Sequence, residues 1–433
     1  MSATRLSVWL VLVLVAAAGC GDQTAGGKPH RSASPSGSAS ATPSLTPVSF
    51  GDQPLWSGGT TTGDAGANAP RLSKILGFGL ADDTVLYVGE DAKRESHGRL
   101  VAADAQTGKL RWSIASGDKL GGDGARADLG SFDEPPPVVR RGEEFTVLVE
   151  YQKADKAEQG LAALSLKDGK VQWTIPVSKK RGTSVVLRAA DAGILLVSVA
   201  DTDGGTVTAI RTVAYDAASH RKLWQASGVK AAAVVGRTVL AEKPSHLPYD
   251  PLKAPPATVL ALDAATGSGK WDLDKRYRDA SVTHVAGPVT VLQVEHDTTA
   301  LVDTETGHEL AILARETPAD GSATCRSDDT VLACTVVGDD GPGVVGMRLA
   351  DASASTPRVF RAADLTVDAV WQGQIYATDS AHGSATVLDP SGARASLKLP
   401  GRLAALDSGY AVFYSGRLET GTDIEFEVHR VEQ

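Results

Sequence analysis

Short apolar segments bounded by turn residues run through the chain after residue 50. Examples are "TVLYVG" (84–89), "FTVLVEY" (145–151), "GILLVSV" (193–199) and "VTVLQVE" (289–295). These segments are rich in β-branched and aromatic residues, and turn residues flank them on both sides, which is typical of β-strands. No segment carries an apolar stripe of 3.6-residue period long enough to indicate a helix. The pattern therefore predicts an all-β fold.

A short motif recurs along these strands. Its clearest copy is "DAQTGKLRW" (104–112), which indicates a polar turn with a glycine and then a strand that ends in tryptophan. Further copies end at Trp173, Trp224 and Trp271, so successive tryptophans are 61, 51 and 47 residues apart. A unit of roughly 40–60 residues with four short strands is the signature of a β-propeller. Weaker copies occupy residues 302–313, 348–360 and 388–397.

Each position of the motif has a physical role. A short Asp side chain accepts hydrogen bonds from the amides of the turn, and glycine takes the left-handed conformation that closes the hairpin. Tryptophan is large and flat enough to fill the wedge between two blades, so a structural role is expected before a ligand-stacking one. The predicted turn residues are Asp104, Gly108, Gly169, Asp263, Gly267, Asp303 and Gly307. The predicted blade-docking residues are Trp56, Trp112, Trp173, Trp224 and Trp271.

The two ends of the repeat region indicate how the ring closes. After the seventh copy, "RLAALD", "GYAVFYSG" and "DIEFEVHRVE" supply three strands but no fourth. Before the first copy, "DQPLWSG" (52–58) is an orphan strand whose Trp56 matches the end of a unit. Joining it to the last three strands completes an eighth blade and removes the exposed sheet edges. We expect eight four-stranded blades, closed by the strand near Trp56, with seven blades as the alternative.

The N-terminal region predicts export and lipid anchoring. Residues 1–19 carry Arg5 and an apolar run too short to span a bilayer comfortably, as in a signal peptide. "AAAGC" resembles a bacterial lipobox, in which Cys20 is diacylated; an ordinary secretory signal with a chance cysteine is the alternative. Residues 20–49 are dominated by Ser, Ala, Pro, Thr and Gly, and predict a disordered tether of roughly 30 Å. The propeller is assigned to 50–433.

The two remaining cysteines are Cys325 and Cys334, in "CRSDDTVLAC". The segment predicts two strands around a turn, which would place the thiols on adjacent strands. In an oxidising compartment we expect a disulfide that staples this hairpin. Two buried free thiols are the alternative, since cross-strand geometry is demanding. A zinc site would need further ligands nearby, and none cluster there.

The charge of the chain excludes some partners. The formal net charge is −9, and an acidic surface repels nucleic-acid phosphates and anionic lipid headgroups. We therefore expect no nucleic-acid partner, and membrane contact only through the lipid on Cys20.

The motif copies resemble the quinoprotein-type, or PQQ-like, propeller repeat with its AxDxxTGxxxW tryptophan-docking pattern, over about residues 54–431. The resemblance implies the fold, which enzymes, assembly factors and sensors share. Quinoprotein dehydrogenases of this kind hold their quinone against a tryptophan and a disulfide between adjacent cysteines, bind calcium, and use an aspartate base. The chain has no adjacent cysteines, and no acid maps onto the calcium or base positions. We expect neither pyrroloquinoline quinone nor calcium, and no metal or catalytic site; "DTDGG" (201–205) and "GDDGPG" (338–343) are interpreted as turns.

Together these features predict a lipid-anchored propeller on the outer face of a bacterial cell membrane, acting as a non-catalytic platform for another envelope protein. The architecture is similar to the lipoprotein propeller of the outer-membrane barrel-assembly machinery. The insertions at 117–139 and 242–258 are the expected contact surfaces. A degenerate quinoprotein-type dehydrogenase or another enzyme is one alternative. A module that binds a small solute in the central channel is another, and it would need polar, convergent side chains on the innermost strands.

Overall fold

The structure is a computed structural model that describes residues 47–432 apart from short gaps. The predicted signal peptide, Cys20 and the linker up to residue 46 lie outside the described residues. Among the residues that are described, no helix is both long and apolar enough to cross a membrane. The gaps are at 61–69, 94–97, 123, 130–134, 142, 154–157, 192, 296–297, 315–323, 339–340, 353–357, 380–383, 392 and 419–420.

Within the described residues the strands form eight antiparallel sheets arranged in a ring. The first strand of one sheet contacts the first strand of the next for most of the way around, and the last sheet contacts the first. These first strands are therefore the innermost. The predicted all-β propeller with eight blades is confirmed, and the seven-bladed alternative is wrong.

The N-terminal half contains two short strands and four complete blades, numbered here in chain order. The strands before the first blade are β1 (Ser49–Phe50) and β2 (Trp56–Gly59). Blade 1 contains β3 (Leu72–Ala81), β4 (Thr84–Asp91), β5 (Gly98–Asp104) and β6 (Leu110–Ala115). Blade 2 contains β7 (Ala125–Asp128), β8 (Val138–Arg141), β9 (Glu144–Lys153), β10 (Gln159–Ser165) and β11 (Val171–Ser178). Blade 3 contains β12 (Thr183–Asp191), β13 (Ile194–Asp203), β14 (Thr206–Asp216) and β15 (Lys222–Ser227). Blade 4 contains β16 (Lys230–Val235), β17 (Thr238–Pro244), β18 (Ala257–Asp263) and β19 (Gly269–Asp272).

The C-terminal half completes the ring. Blade 5 contains β20 (Ala280–Ala286), β21 (Val289–Val294), β22 (Thr298–Asp303) and β23 (Glu309–Ala314). Blade 6 contains β24 (Thr324–Ser327), β25 (Val331–Gly338), β26 (Gly341–Arg348) and β27 (Val359–Ala363). Blade 7 contains β28 (Leu365–Trp371), β29 (Gln374–Asp379), β30 (Ala385–Leu388) and β31 (Arg394–Leu397). Blade 8 contains β32 (Arg402–Leu406), β33 (Tyr410–Arg417) and β34 (Thr422–Glu432). Two short 3₁₀ helices lie at Pro251–Lys253 and Leu349–Asp351.

Both N-terminal strands complete blade 8, which confirms the predicted closure. β1 and β2 pair antiparallel with β34, where Phe50 lies opposite Val431 and Trp56 opposite Val428. The outermost strand of this blade is thus supplied by the start of the propeller and the other three by its end. The ring is closed by backbone hydrogen bonds between segments more than 360 residues apart, including one from the amide of Thr60 to the carbonyl oxygen of Ile424 at 2.8 Å.

The two insertions behave differently. The insertion at 117–139 enters the sheet, because β7 and β8 both pair with the same edge of β9 and together form a divided innermost strand of blade 2. The insertion at 242–258 connects the second and third strands of blade 4, and its Tyr249 forms a β-bridge with Val207 of blade 3. Its Leu252 is 92% exposed.

The apolar core lies mainly between neighbouring blades. One cluster joins blades 1 and 2 and includes Leu100 and Leu164. Another joins blades 8 and 1 and includes Phe426 and Tyr87. Since each blade buries both of its faces against neighbours, the second and third strands consist largely of buried residues, as in β4 and β10.

The disulfide between Cys325 and Cys334 is present in blade 6. The two residues are directly opposite in β24 and β25, with a Cα–Cα distance of 4.0 Å. Both are buried, in the cluster between blades 5 and 6. It staples the innermost hairpin of the blade.

Candidate functional site

Four of the repeat tryptophans lie against the motif turn of the following blade. The ring of Trp112 packs on Gly169, where a Cβ atom would come within 2.8 Å of the indole. The φ angle of Gly169 is +69°, a conformation that glycine adopts without strain. The Nε1 atom of Trp112 donates to the carbonyl oxygen of Leu166 at 2.8 Å. The equivalent contacts are Trp56 with Gly108 and Ala105, Trp224 with Gly267 and Ala264, and Trp271 with Gly307 and Thr304.

One detail of the predicted motif is wrong. The outer strand does not end in tryptophan, since Trp112 is the third residue of β6, which continues to Ala115. The tryptophan has to stay close to its own turn, because the turn that it contacts in the next blade lies at the same end of the propeller.

The aspartates of the motif close the turns. Oδ1 of Asp104 accepts hydrogen bonds from the amide and the hydroxyl of Thr107, at 2.8 and 2.7 Å. Burial alone would raise the pKa of Asp104, but hydrogen bonds from Arg111 and Thr107 lower it below its ordinary value. The equivalent pairs are Asp263 with Thr266 and Asp303 with Thr306.

Trp173 is docked differently, which the sequence reasoning missed. The turn position that is glycine in the other copies is His220 in blade 3, and it has a φ angle of +60°. The indole and imidazole centroids are 4.2 Å apart and the planes are inclined by 32°. Nε2 of His220 is buried without a hydrogen-bond partner among the described residues. Burial and the nearby Arg141 lower the pKa of His220, so the ring is neutral at pH 7.

Two clefts open at one end of the propeller. In each antiparallel blade the hairpin between the first two strands and the motif hairpin between the last two lie at the same end, which we call the motif face. A cleft of about 500 Å³ separates blades 1 and 2 there, and one of about 530 Å³ separates blades 2 and 3. The charged lining of the first is Asp82, Asp83, Arg111, Glu143, Glu144 and Lys167. The lining of the second cleft includes Arg140, Arg141, Trp173, Asp191, Ile194 and Ala217.

The innermost strands carry a repeated β-bulge. In blade 3 the pairing register shifts between Leu187 and Ala189, so Arg188 is the extra residue. A bulge removes an amide from the ladder, and that amide needs another acceptor. Oε1 of Glu150, on the second strand of blade 2, accepts from the amide of Leu187 at 2.8 Å. The same register shift leaves Leu76, Ala232, Thr283, Asp368 and Ala404 as extra residues in five other blades.

For four of these six bulges the acceptor is a side chain from the blade before it. The amide preceding the bulge residue donates to a side chain on the second strand of that blade, at 2.8 to 3.0 Å. These hydrogen bonds join successive blades near the axis, as the tryptophans do further out. The pairs besides Leu187 with Glu150 are Ala231 with Ser198, Val282 with Glu242, and Val367 with Thr335.

Two contiguous cavities mark the central channel. They have volumes of about 510 and 480 Å³ and share Leu76, Arg326, Ala404 and Leu418 in their walls. The first is mainly apolar and also includes His284 and Ser327. The second carries most of the charge, with Asp368 and Arg402 beside Arg326. The walls combine residues from blades 1, 2, 5, 6, 7 and 8.

The polar groups of the channel form two hydrogen-bonded groups, and the charge of Arg326 acts on both. Nε of Arg402 donates to Oδ1 of Asp368 at 3.1 Å, and the hydroxyl of Thr378 donates to its other oxygen. Nε2 of His284 lies 2.9 Å from the hydroxyl of Ser327. Burial and the neighbouring Arg326 lower the pKa of His284 to about 4, so it is neutral at pH 7. The sequence reasoning did not identify any of these residues.

A second buried carboxyl lies at the junction of blades 2 and 3. Burial raises the pKa of Glu150 to about 7, against the opposing effects of the hydrogen bond from Leu187 and the charge of Arg188. An unfolded chain would ionise this group near its ordinary value of 4.5. Between those two values the unfolded state binds fewer protons than the folded state, so stability falls as pH rises.

We expect the variant Glu150→Gln to remove this pH dependence. Glutamine retains an oxygen acceptor for the Leu187 amide but cannot ionise. Thermal unfolding should show the variant similar to wild type near pH 4.5 and more stable at pH 8, by about 1–3 kcal/mol. Glu144→Gln, at an exposed position, is the matched control and should follow wild type. The expectation would be contradicted if the stability of Glu150→Gln and that of wild type changed with pH in the same way between pH 5 and 8.

The family model described as outer membrane protein assembly factor BamB matches residues 51–211 and 137–273. Together the matches span 51–273, more than half of the 433 residues. The chain belongs to this family of PQQ-like β-propellers. The matched part of this PQQ-like propeller covers the four blades with the clearest motifs.

Several solved structures are similar in fold to this PQQ-like propeller. BamB from Moraxella catarrhalis is 15% identical, with 82% of this chain and 95% of that chain covered and a TM-score of 0.41. A quinohemoprotein alcohol dehydrogenase, ADHIIG from Pseudomonas putida HK5, is 10% identical, with coverages of 83% and 75% and a TM-score of 0.47. The computationally designed protein Ika8 is 14% identical, with coverages of 83% and 97% and a TM-score of 0.46. None of the curated protein sequences matches the chain significantly.

The remaining predicted features have the following positions. "DTDGG" (201–205) forms the hairpin between β13 and β14, and "GDDGPG" (338–343) lies between β25 and β26, with 339–340 outside the described residues. Among the described residues, no three or more His, Cys, Asp or Glu side chains are grouped so that they could hold a metal ion.

Proposed function

We propose that the protein is a lipid-anchored scaffold of the bacterial cell envelope, which binds another envelope protein through the motif face and catalyses no reaction. Cys20 would carry the lipid on the outer face of the membrane, and the Ser/Pro-rich segment after it would tether the propeller. Two acyl chains on one cysteine suffice for stable anchoring. Membership of a family described as an outer membrane assembly factor supports the envelope role.

The observation that carries the proposal is the pair of clefts on the motif face. They are adjacent, and each is built by hairpins from two blades, so a partner would contact a rigid frame. Asp82, Asp83, Glu143 and Glu144 outnumber Arg111 and Lys167 in the first cleft. This charge favours a basic segment of the partner. The second cleft adds the half-buried Trp173, and aromatic residues are enriched in protein interfaces.

A quinone cofactor does not fit the channel. The aromatic residues in the two described channel cavities are Phe78 and Tyr414, which are buried and stacked on each other with centroids 6.3 Å apart. The disulfide joins residues nine positions apart and lies in the core between blades 5 and 6. Neither arrangement offers the flat surfaces that quinoprotein dehydrogenases use, and we derive no redox step from this site.

Site-specific photo-crosslinking in living cells tests the scaffold. A photoreactive residue at Glu143 or Lys167, on the motif face, should crosslink one envelope protein at high yield. The same residue at Asp203, in a hairpin at the opposite end, is the matched control and should not. Replacing Cys20 by alanine should release the protein from the membrane fraction and lower the yield. Equal labelling from both ends, or no crosslink from the motif face, would contradict the proposal.

A further inference from the structure

The channel wall between blades 6 and 8 has a positive charge balance in an acidic protein. Arg326 and Arg402 contribute two positive charges and Asp368 one negative charge, so the charged residues that line this cavity within the described part of the chain sum to +1. The whole chain carries −9. His284 adds no charge at neutral pH. An anion is therefore attracted to this part of the channel rather than to the outer surface.

The cluster fixes the position of one cation. The carboxylate of Asp368, whose side chain is 2% exposed, receives Nε of Arg402. The Arg402 guanidinium carbon also lies 5.5 Å from the centroid of the Tyr414 ring. A guanidinium held on two sides is pre-organised for a carboxylate, because little side-chain freedom is lost on binding. The aliphatic hydroxyl groups along the same wall belong to Thr324, Thr335 and Thr366.

The space beyond the charges is apolar. The Arg-lined cavity continues, through the shared residues Leu76, Ala404 and Leu418, into the mainly apolar cavity. An inorganic anion would leave this surface in contact with water, whereas an organic ligand would bury it. The further apolar lining is Phe78, Leu80, Leu86, Pro135, Pro136 and Val138.

We propose that the central channel binds an organic carboxylate with an apolar body. Its carboxylate lies between Arg326 and Arg402, and its apolar part runs past Leu76 and Leu418 towards Phe78. The Arg-lined cavity shares no residue with the clefts of the motif face, so the site does not depend on the proposed scaffold function. The channel would give the propeller a solute-binding activity in addition to a protein partner.

Isothermal titration with 3-phenylpropionate tests the site. The chain from residue 20 is used with Cys20 replaced by alanine, so that no detergent is present. We expect saturable binding of one molecule per chain. The neutral 3-phenylpropanol and inorganic phosphate should each bind at least tenfold more weakly, since one lacks the charge and the other the apolar body. Phosphate that binds as tightly as 3-phenylpropionate would overturn the assignment.

Variants locate the binding. Arg326→Gln should lower the affinity for 3-phenylpropionate at least tenfold and leave the weak binding of 3-phenylpropanol unchanged. Unchanged binding of the neutral compound would show that the variant has lost the charge and is still folded. The double variant Arg402→Gln, Asp368→Asn removes the ion pair without changing net charge, and should have a similar effect. Arg237→Gln removes a cation that is 87% exposed on the surface and is the matched control. Unchanged affinity in both channel variants, or loss in the control alone, would overturn the proposal.

Discussion

Replacing Trp112 by alanine is expected to lower the free energy of unfolding by about 3–5 kcal/mol. Its side chain is only 8% exposed and is part of the cluster that joins blades 1 and 2. The change opens a cavity against Gly169, which has no side chain to fill it, and removes the hydrogen bond to Leu166. Urea denaturation followed by tryptophan fluorescence and circular dichroism measures the loss.

Trp173→Ala provides the matched comparison, since it removes the same side chain at the next junction. Trp173 is half-buried and borders an open cleft, so its removal leaves less enclosed space. The decrease in the free energy of unfolding of Trp173→Ala should therefore be clearly smaller, about 1–2 kcal/mol. Equal losses for the two variants would show that the packed glycine turn contributes nothing beyond the area of the indole.

The fold could be predicted from the sequence because the same short motif recurs in several blades. The spacing of Trp112, Trp173 and Trp224 indicates a unit, and a unit that cannot bury both of its faces alone must stack on its neighbours. Closure could be predicted because "DQPLWSG" supplies the one strand that the C-terminal end lacks. Local patterns were sufficient, since each tryptophan contacts the next copy of the same motif, 33 to 54 residues further along the chain.

The channel could not be predicted in the same way. His284, Arg326, Asp368 and Arg402 come from four different blades, and only the closed ring brings them together. The sequence does contain one unused signal. A polar residue interrupts the apolar second strand at an equivalent place in several blades, including Glu150, where its partner is the bulge of the next blade. In a single strand such a residue is typical of an edge or a surface position. The polar residues that interrupt the second strands are Glu150, Ser198, Glu242 and Thr335.

The three successive junctions from blade 2 to blade 5 combine two layers of contact. Near the axis a side chain from one blade satisfies the bulge of the next, and further out an indole covers the next motif turn. Both layers run in the same direction around the ring, from each blade to its successor. The junction between blades 2 and 3 keeps the inner contact through Glu150 but has His220 in place of the outer glycine. The cleft at that junction is lined by Trp173, and a second cleft lies between blades 1 and 2, where the glycine turn is present.

Deleting the N-terminal strands is expected to abolish the cooperative unfolding of the ring. A chain that begins after residue 60 lacks β1 and β2, so β34 becomes an unpaired edge. Phe413 and Phe426 lose the ring contacts of Phe50 and Trp56, at centroid distances of 5.0 and 5.5 Å. Two half-buried aromatic side chains and a strand pairing represent about 5 kcal/mol, a large part of the stability of a whole domain. We expect aggregation, or a broad thermal transition with exposed apolar surface.

A chain that begins at residue 47 is the matched control and should unfold like the full-length protein, because both closing strands are retained. A synthetic peptide of residues 47–60, added to the shorter chain, should restore a sharp transition by strand addition to β34. The peptide variant Trp56→Ala should restore it less well, since the indole also donates to the carbonyl of Ala105 in blade 1. If the two truncated chains unfold at the same temperature with the same cooperativity, the ring does not depend on this closure. The energy would then lie in the six blade junctions that the closing strands do not touch, since Phe50 contacts blade 7 and Trp56 contacts blade 1.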